Sequence, residues 1–150
     1  MRLALYQPDI PQNVGAAIRT AACFGVGLDI IEPCGFPLSA KELRRVAMDY
    51  RDLVQPAAHS GWDAFTEATS GRVILLTTQS EESIWDFQFW ADDILLMGRE
   101  SAGAPDEIHK VVDARLTIPL APGARSLNVH VAAAVALAEA RRQLSLNSGA

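Results

Sequence analysis

Five short, almost wholly apolar runs, at residues 3–6, 28–31, 73–77, 94–97 and 116–118, punctuate the chain between longer helical patterns. Each is bounded by charge, glycine or proline, which marks a strand buried on both faces. A weaker strand candidate lies near 53–55. Strands without polar alternation need cover above and below, and intervening helices supply it. The expected fold class is therefore α/β with a largely parallel sheet. Helices are expected at 13–24, 39–48, 61–69, 106–111 and 127–146. Asn13 is placed to cap the first, whose Val14, Ile18 and Ala21 share a face before Gly25 ends it. Ser39 and Glu42 form a capping box for the second. The last is Ala-rich, with Val131, Val135 and Ala138 as its stripe and Arg141 and Arg142 near its end. With 150 residues and neither a repeat nor a Ser- or Gly-rich linker, the chain reads as one domain, 1–150.

Several site types are missing from the pattern. There is no GxxxxGK[ST] phosphate loop, and no GxGxxG follows the first strand. Phe24-Gly25-Val26-Gly27 has the wrong spacing and reads as a helix stop and turn. Cys23 and Cys34 lack zinc-ligand spacing and read as reduced, buried or half-buried thiols. His59, His109 and His130 have no partner at metal-ligand spacing, so no metal is expected and each reads as an ordinary polar or capping residue. The apolar start at 1–6 is too short for a secretory leader, and no run approaches a membrane span. A soluble, cytoplasmic protein with no membrane partner is expected.

Charge needs closer reading. The net −5, from 13 Lys+Arg against 18 Asp+Glu, opposes the basic footprint of a nucleic-acid binder. Yet Glu81, Glu82, Asp86, Asp92 and Asp93 crowd one stretch, 73–97, that has no Lys or Arg. Residues 41–51 carry Lys41, Arg44, Arg45 and Arg51 against Glu42 and Asp49. That stretch is either a solvated helix face or a local basic surface.

Three segments end strands with residues poor for packing. Asn13-x-Gly15-x-x-x-Arg19 follows the first strand, where Gly15 allows close approach of a ligand or another backbone. Gly98-x-Glu100-x-x-Gly103 follows the fourth run, at the carboxyl end of a buried strand, where open α/β sheets bind ligands. Ile118-Pro119-Leu120 leads to Ser126-Leu127-Asn128, where Ser126 or Asn128 can cap the last helix. Taken singly, each has a plain structural explanation. Together they point to a shared ligand pocket.

In order and spacing these segments resemble the three motifs of the SPOUT methyltransferases. Tyr6-Gln7-Pro8-Asp9-Ile10-Pro11-Gln12-Asn13, Ile30-Ile31-Glu32-Pro33-Cys34-Gly35-Phe36 and Leu43-Arg44-Arg45…Met48-Asp49-Tyr50 are similar to the tRNA (cytidine(34)-2′-O)-methyltransferase family. The similarity runs from residue 3 to about 144. It implies an α/β-knot fold with a C-terminal trefoil knot, a homodimer, and no RNA-binding extension. It implies S-adenosylmethionine as methyl donor, held by Leu76, Thr77, the loop Gly98, Glu100 and Gly103, then Ile118, Leu120, Ser126 and Leu127. The implied reaction is 2′-O-methylation of the wobble ribose, a cytidine or modified uridine, in a tRNA anticodon stem-loop. Arg19 takes the central catalytic role, with Asn13, Glu100 and Asn128 orienting it or the ribose. A guanidinium is a poor base at neutral pH, so Arg19 is better read as a cation facing developing alkoxide. Lys41, Arg44, Arg45 and Arg51 become RNA-contact candidates.

The chain departs from the family pattern in places. His130 stands where many members carry Ser, and Ala138-Glu139 where they have Tyr-Glu. Arg99 replaces a proline of some relatives, and Ser101-Ala102 their Thr-Arg. Two alternatives stay open: the same fold acting on another tRNA or rRNA ribose, or a non-catalytic α/β nucleotide-binding module.

Overall fold

The computed structural model describes residues 1–147, with the side chains of Arg51, Leu146 and Asn147 outside the description. Elements follow in the order β1 (Arg2–Tyr6), α1 (Pro11–Phe24), β2 (Gly27–Ile31), α2 (Ala40–Ala47), β3 (Ala57–His59), α3 (Trp62–Ala68), β4 (Val73–Leu76), β5 (Ile94–Met97), α4 (Asp106–Val111), β6 (Ala114–Leu116) and α5 (Val129–Asn147). A 3-10 turn over Met48–Asp52 follows α2. All strand pairs are parallel, in the order β3-β2-β1-β5-β4-β6.

Both faces of the sheet are covered, and the two-residue period of the strands decides what each face meets. Leu3, Leu5, Ile74, Leu95 and Met97 pack against α1 and α5 through Val14, Ile18, Ala133, Ala136 and Leu137. Their neighbours Ala4, Tyr6, Leu75, Ile94 and Leu96 pack against Phe65 of α3 and Ile108 of α4. The apolar runs thus become a three-layer α/β domain. No described helix is long and apolar enough to cross a membrane.

Several boundaries differ from the sequence expectation. Helix α1 begins at Pro11, where a missing N–H costs nothing, so Asn13 lies inside it and does not cap it. The strand expected near 53–55 forms instead at β3, because the 3-10 turn occupies 48–52 and delays strand entry. Strand β6 ends at Leu116, where 116–118 was expected. Beyond it Thr117 N donates to Glu82 O, so the chain pairs with the 77–93 excursion rather than with β4. Helix α5 starts at Val129, not 127, and Asn128 is its cap, with Oδ1 accepting from His130 N at 2.9 Å. Only half of the Ser39 capping box forms. Ser39 Oγ accepts from Glu42 N, but the Glu42 carboxylate turns to Arg45. Cys34 is half-buried, whereas Cys23 is exposed, against the reading of a shielded thiol.

Two buried carboxylates tie the sheet's edges and long connections. Asp29 on β2, fully buried, accepts from Arg2 Nε at 2.6 Å and His59 Nε2 at 2.8 Å, joining β1, β2 and β3. Asp93, also fully buried, accepts both Nε and Nη2 of Arg72 at 2.8 Å and Trp90 N at 2.8 Å. The Arg72 guanidinium lies 3.5 Å from the Trp90 ring centroid, so one ion pair anchors the return of the 77–93 excursion. At the far end, Gln143 of α5 accepts from Phe89 N and donates to Phe87 O. Beside it, hydrogen bonds from Arg142 and Gln143 hold the Glu139 carboxyl down to about 2. Asp93→Ala leaves a mostly buried guanidinium unpaired, and the expected loss is about 3 kcal/mol of stability. Urea unfolding of variant and parent measures it; a loss under about 1 kcal/mol would contradict the anchoring role.

Candidate active site

Where the strand order turns back on itself, β1 has β2 on one side and β5 on the other. The loops beyond the carboxyl ends of β1 and β5 must part there, the usual place for a ligand in an open α/β sheet. The structure ties those two loops together. Glu100 Oε2 accepts from Asp9 N at 2.7 Å and Oε1 from Asn13 Nδ2 at 3.2 Å, while Asp9 Oδ2 accepts from Ser101 N at 3.2 Å. Arg99 donates to Gln7 Oε1, and its guanidinium sits 5.3 Å from the Tyr6 ring centroid. Cys34 borders the same cluster. Burial first, then the charges of Glu32, Glu100 and Asp9, push its thiol up to about 11, so it stays protonated and unreactive.

A cavity of about 250 Å³ opens beside this junction, at the carboxyl ends of β4, β5 and β6. Leu76, Thr77, Gly98, Gly103, Ile118, Leu120 and Leu127, all nominated from sequence, line it together. Glu100 and Ser126 do not. Glu100 faces Asp9 and Asn13 instead, and Ser126 is solvent-exposed. Sequence reading missed His109 and Val129 as lining residues. His109 is only 8% exposed, and its ring makes no hydrogen bond within the described residues. A histidine in a short helix gives no signal of this; only the packing of α4 beside the strand ends turns it inward.

The walls are apolar side chains interleaved with backbone. Gly98 is what brings the loop so close: a Cβ there would stand 2.5 Å from Ala104 N and 2.7 Å from Gly103 C. A flat heterocycle with an edge of donors and acceptors suits such walls, because apolar faces take the ring and backbone groups take the edge. Among the described residues, no group of three or more His, Cys, Asp or Glu is placed to hold a metal.

Arg19 opens into a separate cavity of about 340 Å³, which Gly15, Val46, Tyr50 and His130 also line. Its guanidinium stands 4.9 Å from the Tyr50 ring centroid. The approach that Gly15 permits is that of another backbone: a Cβ there would lie 2.3 Å from Val46 O. Helices α1 and α2 therefore pack backbone to backbone, which brings Tyr50 under Arg19. Asn13 and Glu100 bond each other and Asn128 caps α5, so no direct bond joins any of them to Arg19 in the described residues. The start of α5 borders both cavities, with Val129 lining one and His130 the other.

Of the four basic candidates on 41–51, Lys41, Arg44 and Arg45 are exposed on α2. Arg44 Nε turns back to Ala40 O, and Arg45 pairs with Glu42 at 2.5 Å. The Arg51 side chain lies outside the described residues.

Comparison with known proteins bears on this arrangement. Residues 1–138 match the model of the SpoU rRNA Methylase family. A relative from Beijerinckia indica subsp. indica, named tRNA (cytidine(34)-2′-O)-methyltransferase, is 54% identical over 95% of this chain and 91% of its own. One of the same name from Ancylobacter novellus is 47% identical over 95% and 92%. A solved structure described as giving insights into 2-OH methylation of C/U34 on tRNA superposes with a TM-score of 0.90, at 42% identity over 96% of this chain and 95% of that one. The SpoU methyltransferase AviRb from Streptomyces viridochromogenes, in complex with AdoMet, superposes with a TM-score of 0.84, at 25% identity over 97% of this chain and 61% of that one.

Proposed function

Because the chain belongs to the SpoU rRNA methylase family, we infer that it methylates the 2′-hydroxyl of the wobble ribose of tRNA, a cytidine or modified uridine, with S-adenosylmethionine as donor. The 54% identity across 95% of the chain carries this reading. The family that the short motifs resemble is thus the one whose members match over 95% of the chain.

In this reading the 250 Å³ cavity holds the donor. Leu76, Ile118, Leu120 and Leu127 face the adenine, and backbone groups of the 98–103 loop and Thr77 take its polar edge. When bound, the donor supplies a methyl group on a sulfonium, an excellent leaving group. The protein then has to place the ribose and manage charge. Arg19 is the cation that stabilises the oxygen as its proton leaves, and it also pairs with a neighbouring phosphate. Tyr50 holds the guanidinium in place. Asn13 and Glu100 act as struts between the first and second motif loops, and Asn128 fixes the start of α5 between the cavities.

The same reading has the chain knotted where 98–103 and 117–128 enclose the donor, paired with a second copy, and working in the cytoplasm. Exposed Val131, next to His130 near the start of α5, supplies an apolar surface for that second copy. Lys41, Arg44 and Arg45 face the anticodon stem-loop. Arg142, near the end of α5, is largely neutralised by Glu139.

Incubation with labelled donor, total tRNA and ribosomal RNA, followed by nucleoside mapping, tests the assignment. Label in the wobble nucleoside is the expected result. Label confined to ribosomal RNA would overturn the substrate, and no label the activity. Affinity for the anticodon stem-loop is expected to fall steeply as salt rises, by about 0.7 to 0.9 log units per log unit of salt for each phosphate contacted. A flat response would remove the basic surface from the reading.

A further inference from the structure

Of the large apolar side chains among the described residues, Met48 is the most exposed, at 73%. Exposure alone says little, since single surface hydrophobics are common. The backbone makes the position unusual. Met48 closes α2 with φ 51° and ψ −133°, near the first centre of a type II′ turn, which glycine fills without cost. A side chain there crowds its own backbone, and such outliers gather where a site uses them. The bend from α2 into the 3-10 turn would form with less strain on glycine. Burial does not call for methionine either, because the neighbouring Ala47, 2% exposed, is the residue that enters the core.

Met48 also lines the Arg19 cavity, and a lining residue so exposed stands at its mouth. The other side chains there are committed. Val46 is pressed against Gly15, and the Tyr50 ring carries the Arg19 guanidinium 4.9 Å from its centroid. Lys41 and Arg44 are exposed on α2, the helix that Met48 ends. Cations that track a phosphate backbone beside an apolar face are the usual means of holding a single strand.

The reaction makes its own demand. A ribose brought to Arg19 takes its base out of the stack of neighbouring bases, and the base then needs another surface. Cytidine and a modified uridine differ at their hydrogen-bonding edges but share a flat π face. A site that read the edge would reject one of them, whereas a contact with the face accepts both. Methionine suits such a contact, being unbranched, polarisable and able to fit rings of different outline.

We propose that Met48 is the platform on which the wobble base rests while its ribose is methylated, an assignment that rests on the substrate inferred above. The thioether side chain touches the base and not the reacting atoms. It positions the ribose against Arg19 and leaves the identity of the pyrimidine unread.

The chain has three methionines, Met1, Met48 and Met97, so methyl-labelled methionine gives the full-length protein three NMR signals. The signal lost in Met48→Leu is that of Met48. Adding the anticodon stem-loop without donor is expected to move it upfield, as the methyl enters the ring current of the base. A stem-loop abasic at the wobble position is expected to leave it in place. Met48→Gly is expected to raise the KM for the stem-loop about tenfold, the loss of one stacked base, with kcat within about threefold of the parent. Met48→Leu keeps an apolar face and is expected to retain the parental KM. The glycine variant is expected to melt no lower than the parent, because the strained φ is released. A Met48 signal that stays in place, or moves equally with the abasic stem-loop, overturns the proposal. So does a glycine variant with the parental KM or a lower melting temperature, and one with an altered oligomeric state assigns Met48 to contact with a second copy instead. Failure of the parent itself to methylate the wobble ribose overturns the functional reading, so the two failures are distinguishable.

Discussion

Arg19→Ala is expected to slow methyl transfer about a thousandfold while leaving donor affinity within about twofold of the parent. The reason is the separation of the two cavities. Arg19 lines the one formed with Gly15, Val46, Tyr50 and His130, whereas the donor cavity is lined from β4, β5, β6 and the start of α5. Removing the guanidinium takes no contact from the donor walls. In the proposed reading it removes the cation that faces the reacting oxygen, and with it stabilisation present mainly in the transition state, so kcat is expected to fall further than substrate affinity. Stability should change little, because Arg19 is exposed and its recorded contact is with the Tyr50 ring. Arg19→Lys keeps charge but not the planar fork, and an intermediate rate is expected. Calorimetry with the donor and a single-turnover assay, run on the same preparations, check both halves. Near-normal turnover by the alanine variant would remove Arg19 from the chemistry; lost donor binding would place it in the wrong cavity.

Gly98→Val is expected to abolish measurable donor binding. A Cβ at Gly98 would stand 2.5 Å from Ala104 N, 2.7 Å from Gly103 C and 2.9 Å from Gly103 Cα. These are backbone atoms, and Gly103 N is already bonded to Arg99 O at 2.9 Å, so no flexible side chain can absorb the collision. The loop must move, and its Gly98, Arg99, Ala102, Gly103 and Ala104 line the cavity proposed for the donor. Such overpacking costs about 1–3 kcal/mol of stability, which a domain of this size survives. The variant should therefore fold and fail to bind. Gly61→Ala is the control, since a Cβ there meets nothing within 4 Å and its φ of 174° is ordinary extended backbone. Equal donor affinity in Gly98→Val and the parent would show that this cavity is not the donor site.

Much of the architecture is legible in the chain because burial on both faces leaves a strong mark. Four of the five apolar runs form strands at or within one residue of the expected limits, and α4 occupies its expected span. The errors fall where a local rule met a tertiary competitor. Asn13 looks like a cap, but Pro11 starts the helix earlier, and its amide is spent on Glu100, 87 positions away. The run at 116–118 looks like a strand, but its second half pairs with residues of a long excursion whose path the sequence does not reveal. The donor-site nominations reflect the same division. Seven of them line one cavity because strand ends and glycine-bracketed loops are local signals. Glu100 does not, because a carboxylate's direction depends on the donors across from it.

The acidic balance of the whole chain said little about its partner. Asp93 and Glu139 are consumed by Arg72 and Arg142, while Lys41, Arg44 and Arg45 stay exposed on one short helix. By itself the sequence determined the fold class, the family and the three motifs, since each follows from residue type at fixed spacing. Only the tertiary structure decided that Arg19 and the residues nominated for the donor line separate cavities, that Glu100 bonds Asp9 and Asn13, and that His109 and His130 line those cavities. Such facts depend on which elements pack together, and hydrophobic burial, the force that packs them, acts without regard to distance along the chain.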